Sequence, residues 1–260
     1  MPIAPKQDIE EIQIELVNFI ENDEILDKFS LRRFLRVADS IGDMPTRLMI
    51  RGLAYGAAAQ HDDAVDNFKR AVECHHTIAA LNYLAYLGRT GNHRLHRDES
   101  IRIGRAFDDP RAYVRARNAA YADGDYELSL FFARKWLAAF GDSQPNARRM
   151  MEEEVNVRMN DLENFIEVTC LATAEITALS MLVANTAKEH GILAISHDYY
   201  TSTDKSEAAL VCDVLCTDIK VLADLDIELA TAIAMNETFN DKNVTAWYRG
   251  KTRDEVANKI

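Results

Sequence analysis

The chain has 260 residues, of which 48% are hydrophobic and 28% charged, with ten Gly, five Pro and a net charge of −12. That length and apolar content are enough to bury one or two cores, which excludes disordered, collagen-like and linker-like chains. Acids outnumber bases, 42 to 30, which argues against a general polyanion binder because phosphate binding draws on surplus Lys and Arg.

From the amino terminus, Met1 to Glu15 lacks the basic start and apolar run of a secretory signal. Four cysteines in so long a chain do not form a disulfide scaffold, so a reduced, cytoplasmic setting is expected. Ile9, Ile12, Leu16, Phe19 and Ile20 share one face of a predicted first helix, and Ile25, Phe29, Phe34 and Leu35 mark a second. The connections Glu21-Asn22-Asp23 and Gly42-Asp43 are short, which predicts antiparallel helix pairs.

A repeat follows. In a 34-residue frame opening at Pro45, the eighth, eleventh, twentieth, twenty-fourth and twenty-seventh places are Gly52, Tyr55, Ala64, Phe68 and Ala71. Small residues at the eighth and twentieth places let two helices cross closely, while the aromatic and the late Ala seat the next hairpin. This pattern resembles the tetratricopeptide repeat. A second unit, Thr77 to Asp109, keeps Leu81, Leu84 and Leu87 and a turn at Gly91-Asn92 but has His96 where a small residue belongs. A third, Pro110 to Asp142, keeps Ala116, Ala120, Gly124 and Ser129 but has Trp136 at the late Ala. The resemblance is degenerate and covers about residues 45–142.

Residues 1–142 carry 22 acids and 19 bases, against 20 and 11 in 143–260, and the turn cluster Gly141 to Asn146 lies at the change. Two domains are therefore expected, a helical-repeat domain over 1–142 and an α+β domain over 143–260. Asn146 to Glu189 reads as one long helix or two joined end to end, closed by His190-Gly191. The apolar stretch Cys170 to Ala187 contains Glu175 and several Thr and Ser, so it reads as a buried helix segment rather than a membrane span. Ile192 to Ser202 and Ala208 to Thr217 are rich in β-branched and aromatic residues around a polar turn, which predicts a hairpin. Asp218 to Asn236 predicts a helix capped by Thr217, and Val244 to Tyr248 a short strand. The fold class is mainly α: antiparallel helical hairpins, then a long helix and a small α+β module.

Eight arginines and four acids lie between Arg89 and Arg117. In the repeat frames Asn82 takes the sixth place of the second unit, and Arg111 and Arg115 the second and sixth of the third. The resemblance implies a concave groove there, since such places hold a peptide's terminal carboxylate in related domains. Guanidinium groups one helical turn apart can also converge on one anion. Met49 and Leu53 stand where the first unit would need Lys and Asn, so the clamp is incomplete. Asn82, Arg111, Arg115 and Asn118 are the candidate groove residues, for a protein or peptide partner with an acidic segment.

Elsewhere no catalytic or metal set assembles from the sequence. Glu73 and His76 give one Glu-x-x-His where a di-iron bundle needs two. His93 and His96 sit beside Arg94 and Arg97 in or near a polar turn, where like charge opposes a cation. Cys212 and Cys216, on one strand, would stand roughly 13 Å apart, too far to share an ion. Ser196-His197-Asp198 are adjacent on a strand and point to alternate faces. Glu163 and Glu167, one turn apart, read as a solvated stripe. Gly250-Lys251-Thr252 ends like a phosphate loop, but Thr245 replaces its first Gly.

The expectation is thus a non-enzymatic adaptor, chaperone or regulator with no cofactor, no metal and no membrane or nucleic-acid partner. Its carboxy-terminal module would dimerise or dock elsewhere. Two alternatives stand beside it: an enzyme using His197, Asp198 or Tyr199 with Asp213, and a subunit of a larger, viral or defence-system assembly.

Overall fold

A computed structural model describes residues 9–139 and 145–257. Among these residues are twelve α-helices and one three-stranded sheet near the carboxy-terminal end, so the protein is mainly α with a small α+β part. Packing divides the chain into two compact units, Met1–Asn92 and His93–Ile260. The change of charge at 142/143 falls inside the second unit, and residues 141–144 of the turn cluster lie outside the described residues.

The first unit holds α1 (Ile9–Glu21), α2 (Lys28–Asp39), α3 (Met44–Ala57), α4 (His61–Glu73) and α5 (Thr77–Arg89). Asp27 and Asp43 start α2 and α3 by accepting first-turn amides, Phe29 and Ser30 on one, Thr46 on the other. Successive helices α3, α4 and α5 pack against one another, as a helical-repeat arrangement requires. The contact at the α3–α4 crossing is Gly52, where a Cβ would come within 3.0 Å of the Phe68 ring. Phe68 in turn stacks on Tyr83 of α5 at 5.6 Å between ring centres. Ala64, Phe68 and Ala71 are fully buried. Helix α1 lies on α3 and α5 and buries Ile12 and Leu16 completely.

The second unit begins with α6 (His93–Ala106), α7 (Pro110–Ala122) and α8 (Tyr126–Ala138). His93 and His96 form the first turn of α6, directly after the turn at Gly91-Asn92, and burial pushes both imidazoles down to about 4. Close approach of α6 and α7 depends on Gly104, where a Cβ would overlap that of Ala116. The buried Arg97 guanidinium donates to Asp123 at 2.5 Å and to Ser180 at 2.6 Å, tying α6 to the end of α7 and to a later helix.

Of the two readings of Asn146 to Glu189, one helix or two, the structure has two, α9 (Pro145–Thr169) and α10 (Thr173–Glu189), bent by 104° at a break where Cys170 takes φ 52°. Glu175 fixes the restart of the chain by accepting the Ala172 amide at 2.7 Å. No single helix among the described residues is long and apolar enough to cross a membrane.

The sheet comprises β1 (Ala194–Thr201), β2 (Ala208–Val214) and β3 (Thr245–Gly250) in that order. β1 and β2 form the predicted antiparallel hairpin. β3 runs parallel to β2, and α11 (Ile219–Ala234) makes the crossover that a parallel pair needs. The cap of α11 is Asp218 rather than Thr217: its carboxylate accepts from the amides of Lys220 and Val221. Cys216 lies beyond the end of β2, so it shares no strand with Cys212. A short helix α12 (Arg253–Ala257) follows β3. The inward face of the sheet, with Tyr199, Leu210, Cys212 and Tyr248, joins the core formed by α9 and α10 around Phe165 and Val183.

On each edge strand a side chain takes one main-chain group. The Tyr248 amide of β3 donates to Asp226 on α11 at 2.8 Å. On β1, the His197 carbonyl accepts from Arg158 on α9 at 3.2 Å.

Candidate functional site

The four groove candidates divide between the two units, Asn82 in the first and Arg111, Arg115 and Asn118 in the second. Asn82 is half-buried and engaged by its own chain: it accepts from Gln13 of α1 at 3.4 Å and donates to the Ile78 carbonyl at 3.0 Å. At Asn82, therefore, the expected groove is occupied by α1, which packs on α3 and α5. Arg111 is exposed, and its guanidinium returns to Asp109, the residue that caps α7. Those bonds from Arg111 hold the Asp109 carboxyl below its ordinary range. Arg115 is half-buried, and burial, followed by the charge of Arg111, lowers its pKa. Asn118 is exposed and accepts from Arg117 at 3.0 and 3.1 Å.

The concave feature with converging side chains lies on the outer face of the sheet. Register sets its rows. Ser196, Asp213 and Arg249 align across the three strands; beside them run Asp198, Val211 and Trp247. Tyr200 is next along β1, its ring centre 6.0 Å from that of Trp247. Helix α9 forms the adjoining wall through Val157, Arg158 and Asp161, which together with Asp198, Tyr200, Val211, Trp247 and Arg249 line an open cleft of about 710 Å³. Tyr200 is 48% exposed and Val157 59%, so apolar surface is presented to solvent on both sides of the cleft.

Charge in the cleft is organised around Arg249. Its Nε donates to the buried Asp213 carboxylate at 2.5 Å and its Nη2 to Asp198 at 2.5 Å. Ser196 Oγ completes Asp213 at 3.0 Å. These partners, Asp213 first, raise the pKa of Arg249 above the ordinary guanidinium value. Asp161 lies in a different field: burial and then the negative charge of Asp198 push its carboxyl upward, with Arg158 pulling the other way. The cleft thus offers an aromatic pair, a partly exposed guanidinium and a carboxylate that a nearby positive charge would relieve.

The four residues of the enzymatic alternative are not brought together. Asp198 lines the cleft and Asp213 is buried on the same face of the sheet, whereas His197 and Tyr199 alternate to the other face, where Tyr199 joins the core. His197 is buried and its imidazole is held well below its ordinary value, first by burial and then by Arg97. Tyr199 donates to the Tyr121 carbonyl at 2.9 Å. Among the described residues no group of three or more His, Cys, Asp or Glu side chains could hold a metal ion.

Sequence reasoning missed Arg158, Asp161, Tyr200, Trp247 and Arg249. The available signal was a matching period of two, Asp198 and Tyr200 on one strand, Trp247 and Arg249 on another. The predicted third strand stopped at Tyr248, one residue short of Arg249, and its parallel pairing with β2 is not written in local pattern. No family model, no curated protein and no solved structure matches the chain.

Proposed function

We propose that this protein is a non-enzymatic protein-binding module that takes an extended segment of a partner in the cleft beside the sheet. Tetratricopeptide-like hairpins would supply part of its helical scaffold. The observation that carries the reading is the pair of exposed Tyr200 and half-buried Trp247 standing beside Asp161 and Asp198 on one cleft. An apolar side chain of the partner would lie on the two rings, and a Lys or Arg near it would sit between the two carboxylates. Arg249 supports binding over catalysis: it holds Asp198 and Asp213 together, which leaves neither as a free proton acceptor. The same chemistry turns the expected partner from an acidic segment to a basic one, because Arg111 is already answered by Asp109.

Photo-crosslinking in the native host tests this reading. A crosslinkable residue replaces Tyr200 in one variant and Asn118 on the α7 surface in another. The expected result is a discrete adduct from position 200 that disappears when Trp247→Ala is added. Adducts confined to position 118 would move the binding surface to α7 and overturn the cleft assignment; none at either position would overturn the binding role.

A further inference from the structure

Helix α11 buries one side and leaves the other without cover among the described residues. Leu225, Leu229 and Ile233, spaced one turn apart, pack into the core. On the opposite side Ile227 is 68% exposed, and Ala223, Ala230 and Ala234 along the same side are exposed as well. Ile219 and Met235, at the two ends, are 83% and 81% exposed. Charge on this outer side is confined to Lys220 and Asp224, since Glu228 on the flank is taken by His190 at 2.8 Å. The outward side of a solvated helix carries mostly polar groups; this one is apolar through its middle.

The placing of charge says what covers it. Lys220 stands in the first turn, where the helix dipole is positive, and its ammonium forms no ion pair among the described residues. The last turn, where the dipole is negative, has no basic residue. A cation thus sits at the wrong end of α11, and the right end has none. An antiparallel copy of the same helix answers both, because it carries Lys220 of each chain to the last turn of the other.

The sequence of the outer side is also self-complementary in that direction. Ile227 lies at the middle of α11, so a two-fold axis beside it sets Lys220 against the partner's Ala234. Ala223 then meets the partner's Ala230, small against small, which lets the helix axes approach closely. Asp224 meets the partner's Thr231 rather than a second carboxylate. A parallel copy would instead place Lys220 on Lys220 and Asp224 on Asp224.

We propose that the outer side of α11 is a self-association surface, on which a second copy of this chain docks antiparallel about Ile227. None of these residues lines the sheet cleft, so the assignment does not rest on what occupies that cleft. The contact runs along about 24 Å of helix, which is small for a protein interface, so dissociation in the micromolar range is expected.

Sedimentation equilibrium of the full chain across the micromolar range tests this. The expected result is a reversible rise from 29.4 kDa to twice that mass. Ile227→Glu puts two carboxylates on the axis and should raise the dissociation constant by roughly tenfold or more. Its unfolding midpoint should stay nearly unchanged, because position 227 is already exposed. Lys220→Glu should weaken the dimer, and adding Ala234→Lys to it should restore association, a rescue that only the antiparallel pairing gives. A mass of 29.4 kDa at every concentration, or a dimer that Ile227→Glu leaves intact, would overturn the proposal. A dimer without the charge-swap rescue would overturn the antiparallel arrangement.

Discussion

The four thiols meet different surroundings. Cys74 and Cys170 are exposed, Cys216 is half-buried and Cys212 lies in the core. Burial, followed by the charge of Asp213, pushes the Cys212 thiol well above the usual range. Thiolate is the reactive form, so Ellman's reagent should modify Cys74 and Cys170 quickly in the native protein and Cys212 only on unfolding. Single Cys→Ser variants assign each phase, and a fast phase lost in Cys212→Ser would show that β2 is open. At this scale the sequence was half legible. That His197 and Asp198 point to opposite faces follows from strand geometry. Which face turns inward does not, because both alternating sets on β1 mix an aromatic ring with polar groups: Ser196, Asp198 and Tyr200 on one side, His197, Tyr199 and Thr201 on the other. Arg249 and the α9 wall decide the matter, and they arrive from distant parts of the chain.

At the level of elements, close crossings depend on glycines. Gly104→Leu should force α6 and α7 apart, at a cost of about 1–3 kcal/mol in urea unfolding. Gly42→Ala, where a Cβ meets nothing within 4 Å, should leave the midpoint nearly unchanged and serves as its control. Equal midpoints for the two variants would show that the α6–α7 contact gives way without loss. The α3–α4 hairpin was readable because Gly52 and Phe68 occupy the expected places of one frame and touch each other. In α6 the small residue sits at Gly104 rather than at the place of His96, so the same rule applies at another height and the frame fails. The bend at Cys170 had no Gly or Pro to announce it; a non-Gly residue in the left-handed region ends α9. The α1 stripe was legible as a helix face, but not as the cover for α3 and α5.

For the whole molecule, buried imidazoles set the response to acid. His93 and His96 ionise at about 4 in the folded protein, and His197 is also held well below its ordinary 6.5. The unfolded chain takes up these protons near 6.5, where the folded state still excludes them. Stability is therefore complete above 6.5 and falls as pH drops towards 4, by up to about 1.4 kcal/mol per pH unit for each group. The raised carboxyls of Asp123, Asp161 and Asp226 act in the opposite sense at the acid end of that window, because the folded state protonates them first. Urea midpoints at pH 5.0 and 7.5 measure the balance, with a clearly lower value expected at pH 5.0; equal midpoints would show that these imidazoles are hydrated.

The side chains that occupy the two rims of the sheet, Asp226 at the Tyr248 amide and Arg158 at the His197 carbonyl, reach beyond local stability. An incoming chain that would lengthen the ribbon must first displace Asp226 from one margin and Arg158 from the other. Templated growth is resisted at those two points.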